Sequence, residues 1–322
     1  NVREKDGFIL LDYTKECQYE RKWDPVTLAC RGLIIDSLDL SVAARPFPKF
    51  FNIGEMPNLA LERLPKLPFT AFEKMDGSLG IGYRDRQGYM TISTRGSLQS
   101  EQGARATEMI RALPQSSEMP DEWTPLFEIV YKENKTVIKY DFDGLVLLTI
   151  VNRHTGEELP WSTVQEWGGK LGVRTPKVWS FDSVVAAQKV ARDLPYNTEG
   201  FVIRFADGLR VKLKGNAYLE LHRLVWQLTD KNVLESLSQG TFDKVLKQLP
   251  EELRPEVEAI ARGFTEKVDT LSANTRRLFD EAPRASRRDF ALWVKAHASS
   301  QEMSAMFALL DHREPNWYDL IG

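Results

Sequence analysis

Glu73-Lys74-Met75-Asp76-Gly77-Ser78-Leu79 is the stretch from which the rest of the chain is read. The apolar run before it, Leu67 to Phe72, reads as a strand, and Leu79 to Tyr83 reads as the next one. Asp76-Gly77 reads as a tight turn between them, so Lys74 is expected at a strand end. A lysine with an ordinary pKa of about 10.4 is protonated and a poor nucleophile. Burial or neighbouring cations make it a useful amine. Gly77 would let backbone approach a ligand closely. In isolation, the same residues also suit a charged turn between two strands.

Upstream, Phe8 to Leu11 is a short apolar run, and Leu33 to Ile35 carries a buried-strand signal with Arg31-Gly32 at its entry. Arg31 is either a surface charge or an anion ligand. Arg45 to Asn52 is held extended by Pro46 and Pro48, with Lys49 among the aromatic residues Phe47, Phe50 and Phe51. Downstream, Met90 to Thr94 and Leu126 to Tyr131 read as strands, with one carboxylate, Glu128, inside the second. Turned inward, Glu128 needs a partner. Leu145 to Val151 is a central strand. Glu101 to Leu113, Trp161 to Leu171 and Phe181 to Arg192 read as helices, the last capped by Asp182 or Ser183. Glu199 to Arg204 and Arg210 to Lys214 form a hairpin about Asp207-Gly208, and alternation puts Lys212 and Lys214 on one face. Those two charges repel unless water or an anion lies between them.

After about residue 218 the strand signals stop. Helical spacing runs through Tyr218–Leu228, Val233–Leu237, Phe242–Leu249, Val257–Leu271, Phe290–Ala298 and Glu302–Leu310. The expected fold class is therefore α+β: antiparallel sheets flanked by helices over residues 1–224, then an all-helical domain over 225–322. Arg276, Arg277, Arg284, Arg287 and Arg288 form a basic cluster there, interrupted by Asp280, Glu281 and Asp289. It is either a solvated helix end or a contact for a phosphate backbone.

Composition excludes several classes. Two cysteines among 322 residues make no disulfide framework and no paired metal motif. Both are expected reduced, in a cytoplasmic compartment. No apolar run reaches the ~18–20 residues of a membrane span, and no signal-type stretch opens the sequence. A net charge of −3 argues against a generally basic nucleic-acid coat, though not against a local basic groove. The glycine order after Gly77 is wrong for a dinucleotide fingerprint, no Walker loop occurs, and the four histidines are not at metal spacing.

Taken as an ordered set, these segments resemble the covalent nucleotidyltransferases, and more narrowly the ATP-dependent RNA ligases of the T4 RNA ligase 1 type. The resemblance rests on Cys30-Arg31-Gly32, Pro48 to Asn52, Lys74 to Leu79, Thr94 to Ser97, Phe127-Glu128, Leu145 to Ile150, Glu199 to Val202 and Lys212 to Tyr218. It implies a nucleotidyltransferase fold, ATP and Mg²⁺ as cofactors (Mn²⁺ able to substitute), and joining of 5′-phosphate to 3′-hydroxyl RNA ends through lysyl-AMP. It also implies a role in RNA repair, with cleaved tRNA among the candidate substrates and an end-healing kinase-phosphatase in the same pathway. Lys74 would carry AMP. Lys212 and Lys214 would flank the α-phosphate and lower the Lys74 pKa by repulsion. Arg31 and Lys49 would grip the outer phosphates. Arg95 stands where the family also uses lysine, an exchange that is not equivalent at a phosphate. Glu128 would accept from the ribose, Phe51 would pack near the nucleotide, and Glu199 would hold Mg²⁺ or pair with a lysine. Two other readings stand beside this one. A DNA ligase or guanylyltransferase would usually carry a β-barrel where this chain turns helical. A non-catalytic RNA-end-binding protein would not need Lys74, Glu128, Glu199, Lys212 and Lys214 all in place.

Overall fold

The structure is a computed structural model that describes residues 1–132, 138–227, 229–248 and 254–321. In chain order the strands are β1 (Val2–Lys5), β2 (Phe8–Asp12), β3 (Arg31–Asp36), β4 (Val42–Ala44), β5 (Phe51–Asn52), β6 (Phe69–Glu73), β7 (Ser78–Arg84), β8 (Met90–Thr94), β9 (Trp123–Val130), β10 (Gly144–Asn152), β11 (Val178–Trp179), β12 (Gly200–Phe205) and β13 (Arg210–Lys214). The helices are α1 (Lys15–Tyr19), α2 (Pro25–Ala29), α3 (Glu101–Arg111), α4 (Trp161–Leu171), α5 (Val184–Arg192), α6 (Asn216–Gln227), α7 (Asp230–Ser238), α8 (Phe242–Gln248), α9 (Arg254–Glu281), α10 (Arg287–His297) and α11 (Ser300–Leu310). Leu228 and Leu249, read as helical positions, lie outside the described residues. No helix among the described residues is long and apolar enough to cross a membrane.

Two compact units divide the chain, Asn1–Leu219 and Glu220–Gly322. The first holds three sheets, ordered β1-β2-β3-β4, β10-β9-β7-β8 and β11-β6-β12-β13-β5. Pairing is antiparallel except between β13 and β5. The α+β class read from the sequence is thus the one observed. The second sheet packs Phe127, Ile129, Leu145 and Leu147 against α3 and α4. The third packs Phe201, Ile203, Phe205 and Val211 against Ala187 and Ala191 of α5. Each such aromatic or aliphatic side chain contributes about 1.5–3 kcal/mol on full burial. Ser183 is the N-cap of α5 and accepts from the Ala186 amide at 3.1 Å. α4 spans the Trp161 to Leu171 helix read from the sequence and closes on a left-handed C-cap at Gly172.

Glu73 to Leu79 does something its sequence alone did not reveal. β6 and β7 belong to different sheets. Residues 74–77 are therefore the crossing between sheets rather than a hairpin turn, with a bend at Gly77. Asp76 fixes this crossing. Its amide donates to the Tyr140 hydroxyl at 2.8 Å, and its carboxylate accepts from the Ile138 amide at 2.9 Å and the Tyr218 hydroxyl at 3.2 Å.

The second unit is helical throughout its described secondary structure. Leu278, Ala282, Phe290, Val294 and Met306 form one core cluster, and Val233, Val257 and Ala261 another. α11 starts with a reciprocal capping box between Ser299 and Glu302. Helical spacing read over 257–271 belongs to one longer helix, α9, which runs from Arg254 to Glu281. Four arginines of the basic cluster are paired with carboxylates: Arg276 with Glu314, Arg277 with Glu281, Arg284 with Asp280 and Arg287 with Asp311. These pairs offset much of the charge a phosphate backbone would meet.

Candidate active site

A cavity of about 250 Å³ opens within the first unit, lined by residues of all three sheets and their connections. Arg31, Lys74, Gly77, Glu128 and Lys212 line one part of it. Phe72, Leu148, Trp161 and Val202 add apolar walls, with Thr149, Glu158, Arg204 and Arg210 as polar groups. Residues distant in sequence and singled out from it thus face one space.

Glu199 organises the cationic part. It sits directly before β12 and its side chain is 3 % exposed. Oε2 accepts from Lys74 Nζ at 2.7 Å, and Oε1 lies 2.9 Å from Lys214 Nζ. The hairpin makes this possible, because Gly200 pairs with Lys214 across β12 and β13. Gly200 has φ +142°, and a Cβ there would lie 1.9 Å from the Leu213 carbonyl oxygen, so no other residue fits. Lys74 is tied to the same hairpin, its amide donating to the Gly200 carbonyl at 2.9 Å. Gly77 makes the second close approach. A Cβ there would lie 2.6 Å from the Ile129 carbonyl oxygen and 2.8 Å from Glu128 Cγ.

The electrostatics correct one expectation. Lys74 was expected to be pushed down by Lys212 and Lys214. Burial does push it down, but Glu199, Glu128 and Asp76 outweigh burial and hold it above the ordinary lysine value. Glu199 lies between Lys74 and Lys214, so repulsion does not decide the matter. Lys212 is the perturbed lysine. Burial first, then Arg31, Lys74, Lys49 and Lys214, pull it down to about 7. Burial also lifts Glu128 to about 7, against the pull of Lys74 and Arg31. Arg31 is lowered from its usual value by burial, and its Nη1 is buried without a hydrogen-bond partner. An orphaned guanidinium donor beside a lysine with no carboxylate partner among the described residues is a built receptor for an anion.

Glu199 and Lys214 do not themselves line the cavity, and three further expected residues lie elsewhere. Lys49 does not line the cavity; its ammonium is 5.2, 5.3 and 5.4 Å from the ring centroids of Tyr13, Trp23 and Phe51. Arg95 donates to the Tyr13 hydroxyl at 2.6 Å and lies 3.5 Å from Asp12. Phe51 is buried in the core beside Trp23. Phe50 and Phe47 line the cavity instead, with Lys212 over the Phe50 ring at 4.6 Å. The physical reason is alternation, since Phe51 begins β5 and turns toward the core. Glu199 was expected to hold Mg²⁺ or to pair with a lysine, and it pairs with two. Both of its oxygens are engaged by ammonium groups, and the described residues hold no group of three or more His, Cys, Asp or Glu side chains able to bind a metal. Among the described residues there is thus no ready-made carboxylate or histidine cage for a divalent cation. The Glu158, Arg204 and Arg210 cluster gave no sequence signal beyond ordinary surface charge. Only topology brings residue 158 within 2.6 Å of residue 210.

A family model described as RNA ligase, of the T4 type, matches residues 29–218, more than half of the chain. The chain belongs to that RNA ligase family. All of the site residues named above from Arg31 to Lys214 fall inside the matched span. A candidate bifunctional polynucleotide kinase/RNA ligase of Autographa californica nuclear polyhedrosis virus is 30 % identical over 249 residues, covering 69 % of this chain and 34 % of that protein. A candidate RNA ligase of Thermovibrio ammonificans is 28 % identical, covering 62 % of this chain and 54 % of that protein. This RNA ligase family member thus spans about a third to a half of the length of those two relatives. An RNA ligase of Rhodothermus phage RM378 is 22 % identical, over 98 % of this chain and 85 % of that one. Among solved structures, an archaeal ATP-dependent RNA ligase is 15 % identical with a TM-score of 0.48, covering 77 % of this chain and 76 % of that chain.

Proposed function

We propose that the chain carries out ATP-dependent RNA ligation through lysyl-AMP, joining 5′-phosphate to 3′-hydroxyl ends in RNA repair. The observation that carries this reading is the placement of Lys74 Nζ, 2.7 Å from Glu199, on a cavity that also holds the unpartnered Arg31 donor and Lys212. An amine nucleophile, a nearby proton acceptor and uncompensated cations are what nucleotidyl transfer to lysine needs.

In the first step, Lys74 Nζ attacks the α-phosphorus of ATP. A P–N bond forms, the P–O bond to the β-phosphate breaks, and pyrophosphate leaves. Glu199 Oε2 is the acceptor in line for the Lys74 proton. Lys212 and Arg31 offset charge on the phosphates. A divalent cation bound to the triphosphate would offset part of its charge during transfer. In the second step, a 5′-phosphate oxygen of the RNA attacks the same phosphorus, and the P–N bond breaks with its electron pair returning to Lys74. In the third, the RNA 3′-hydroxyl attacks the 5′-phosphorus, its proton is released, and AMP leaves. Glu128, which lies against Gly77, accepts from a ribose hydroxyl in this scheme.

The test is a chase. Protein labelled from α-labelled ATP should pass its label to a 5′-phosphorylated oligoribonucleotide and not to the 5′-hydroxyl form. Labelling by GTP with none by ATP would favour the guanylyltransferase reading. The helical unit is assigned to RNA selection. Deleting residues after 225 should spare lysyl-AMP formation and abolish preference among RNA substrates; preference that survives would overturn that assignment.

A further inference from the structure

A second cavity, of about 320 Å³, lies on the edge of the third sheet. It is bounded by β5 and β13, by Gln188, Ala191 and Arg192 of α5, and by Asn216 and Leu219 at the start of α6. Lys212 lines both this cavity and the one described above. Three cations line it (Arg192, Lys212 and Lys214), and among the described residues no carboxylate does. Lys214 is compensated by Glu199; Arg192 and Lys212 have no carboxylate partner among the described residues. Three amide side chains, Asn52, Gln188 and Asn216, complete the polar lining.

Asn52 makes the site specific. It is the register partner of Lys212 in the parallel β5–β13 ladder, so the two side chains share a face. Its Nδ2 donates to Glu55 Oε2 at 2.7 Å. A carboxylate only accepts, so this contact fixes which end of the amide is which. Oδ1 is then left buried with no donor. A buried carbonyl oxygen without a donor calls for a ligand O–H or N–H.

We propose that this second cavity receives the 5′-terminal nucleotide of the RNA, with Arg192 and Lys212 on its phosphate and Asn52 Oδ1 accepting from its ribose 2′-hydroxyl. The assignment rests on the ligase reading. It accounts for two cavities meeting at one lysine, because the RNA phosphate must reach the phosphorus carried by Lys74. A polynucleotide end supplies both the anion and the hydroxyl donors that the lining calls for, and the 2′-hydroxyl is the group that separates RNA from DNA.

The experiment measures binding of short oligonucleotides to the full chain pre-labelled with AMP. Three probes are used: a 5′-phosphorylated RNA, the same RNA with a 5′-hydroxyl, and the phosphorylated RNA with one 2′-deoxy sugar at its 5′ end. Arg192→Gln should cut the preference for phosphate over hydroxyl by about tenfold or more, the scale of a lost hydrogen bond to a charged group. Lys189→Gln, on the same helix but outside the lining, should leave it unchanged. Asn52→Ala should erase discrimination against the 2′-deoxy probe while keeping the phosphate preference. Lysyl-AMP formation with an undiminished phosphate preference in Arg192→Gln would overturn the assignment alone. Discrimination surviving in Asn52→Ala would overturn the ribose contact. A parent chain that forms no lysyl-AMP would instead overturn the ligase reading and this assignment with it.

Discussion

Replacing Glu199 by glutamine should uncouple Lys74 from its proton. The carboxylate is 3 % exposed and holds Lys74 at 2.7 Å and Lys214 at 2.9 Å. At an effective dielectric constant of about 20, a pair 2.7 Å apart attracts by about 6 kcal/mol before desolvation is counted. Breaking one partner of such a buried pair costs about 3–5 kcal/mol, so the variant should unfold at a clearly lower temperature. The more informative effect is on titration. Glu199 is the strongest of the groups lifting Lys74, while burial acts to lower it. Removing the carboxylate leaves burial opposed by Glu128 and Asp76 alone. The Lys74 pKa should therefore fall. Single-turnover formation of lysyl-AMP, followed over a pH series, reads this directly. Its midpoint should move to lower pH in Glu199→Gln, even where the plateau rate falls. Lys214→Met should do the opposite, because Glu199 then serves Lys74 alone. A midpoint that stays in place in Glu199→Gln, or a downward shift in Lys214→Met, would refute the reasoning.

Other consequences follow from single residues. Gly200→Ala puts a methyl group 1.9 Å from the Leu213 carbonyl at φ +142°; it should cost several kcal/mol by separating β12 from β13, seen as a large drop in the urea midpoint with lysyl-AMP lost in parallel. Lys212, pulled down to about 7 in the free protein, is mostly neutral at pH 8 and should become protonated as ATP binds. Calorimetry in two buffers of different ionisation enthalpy should therefore show proton uptake at pH 8 and almost none at pH 6. Lys212→Met should remove it; uptake that persists in that variant would move the titration to another group.

The sheets were legible because their strands alternate cleanly or are continuously apolar, as in Leu145 to Val151. The hairpin from Gly200 to Lys214 was legible because Asp207-Gly208 marks its turn and two lysines share its face. Asp76-Gly77 reads as a tight turn yet lies in a crossing between sheets, because local sequence cannot tell a hairpin from such a crossing. That distinction depends on which distant strands β6 and β7 find, namely β12 and β9. The site residues were legible by type, but the sign of the Lys74 shift was not. Two lysines and a glutamate at residues 199, 212 and 214 say nothing of which charge stands between the others. Geometry places Glu199 there, and the repulsion expected on Lys74 appears on Lys212 instead. Phe50 and Phe51 show the same limit, since one residue of register decides which ring faces the cavity and which the core.

The central claim is that Lys74 is the residue that becomes covalently nucleotidylated. The direct measurement is incubation of AMP-free protein with α-labelled ATP and Mg²⁺, followed by denaturing electrophoresis, with Lys74→Ala alongside. Label that survives denaturation on the parent and is absent from Lys74→Ala is the predicted result. Label retained by Lys74→Ala, or none on the parent with either ATP or GTP, would contradict it.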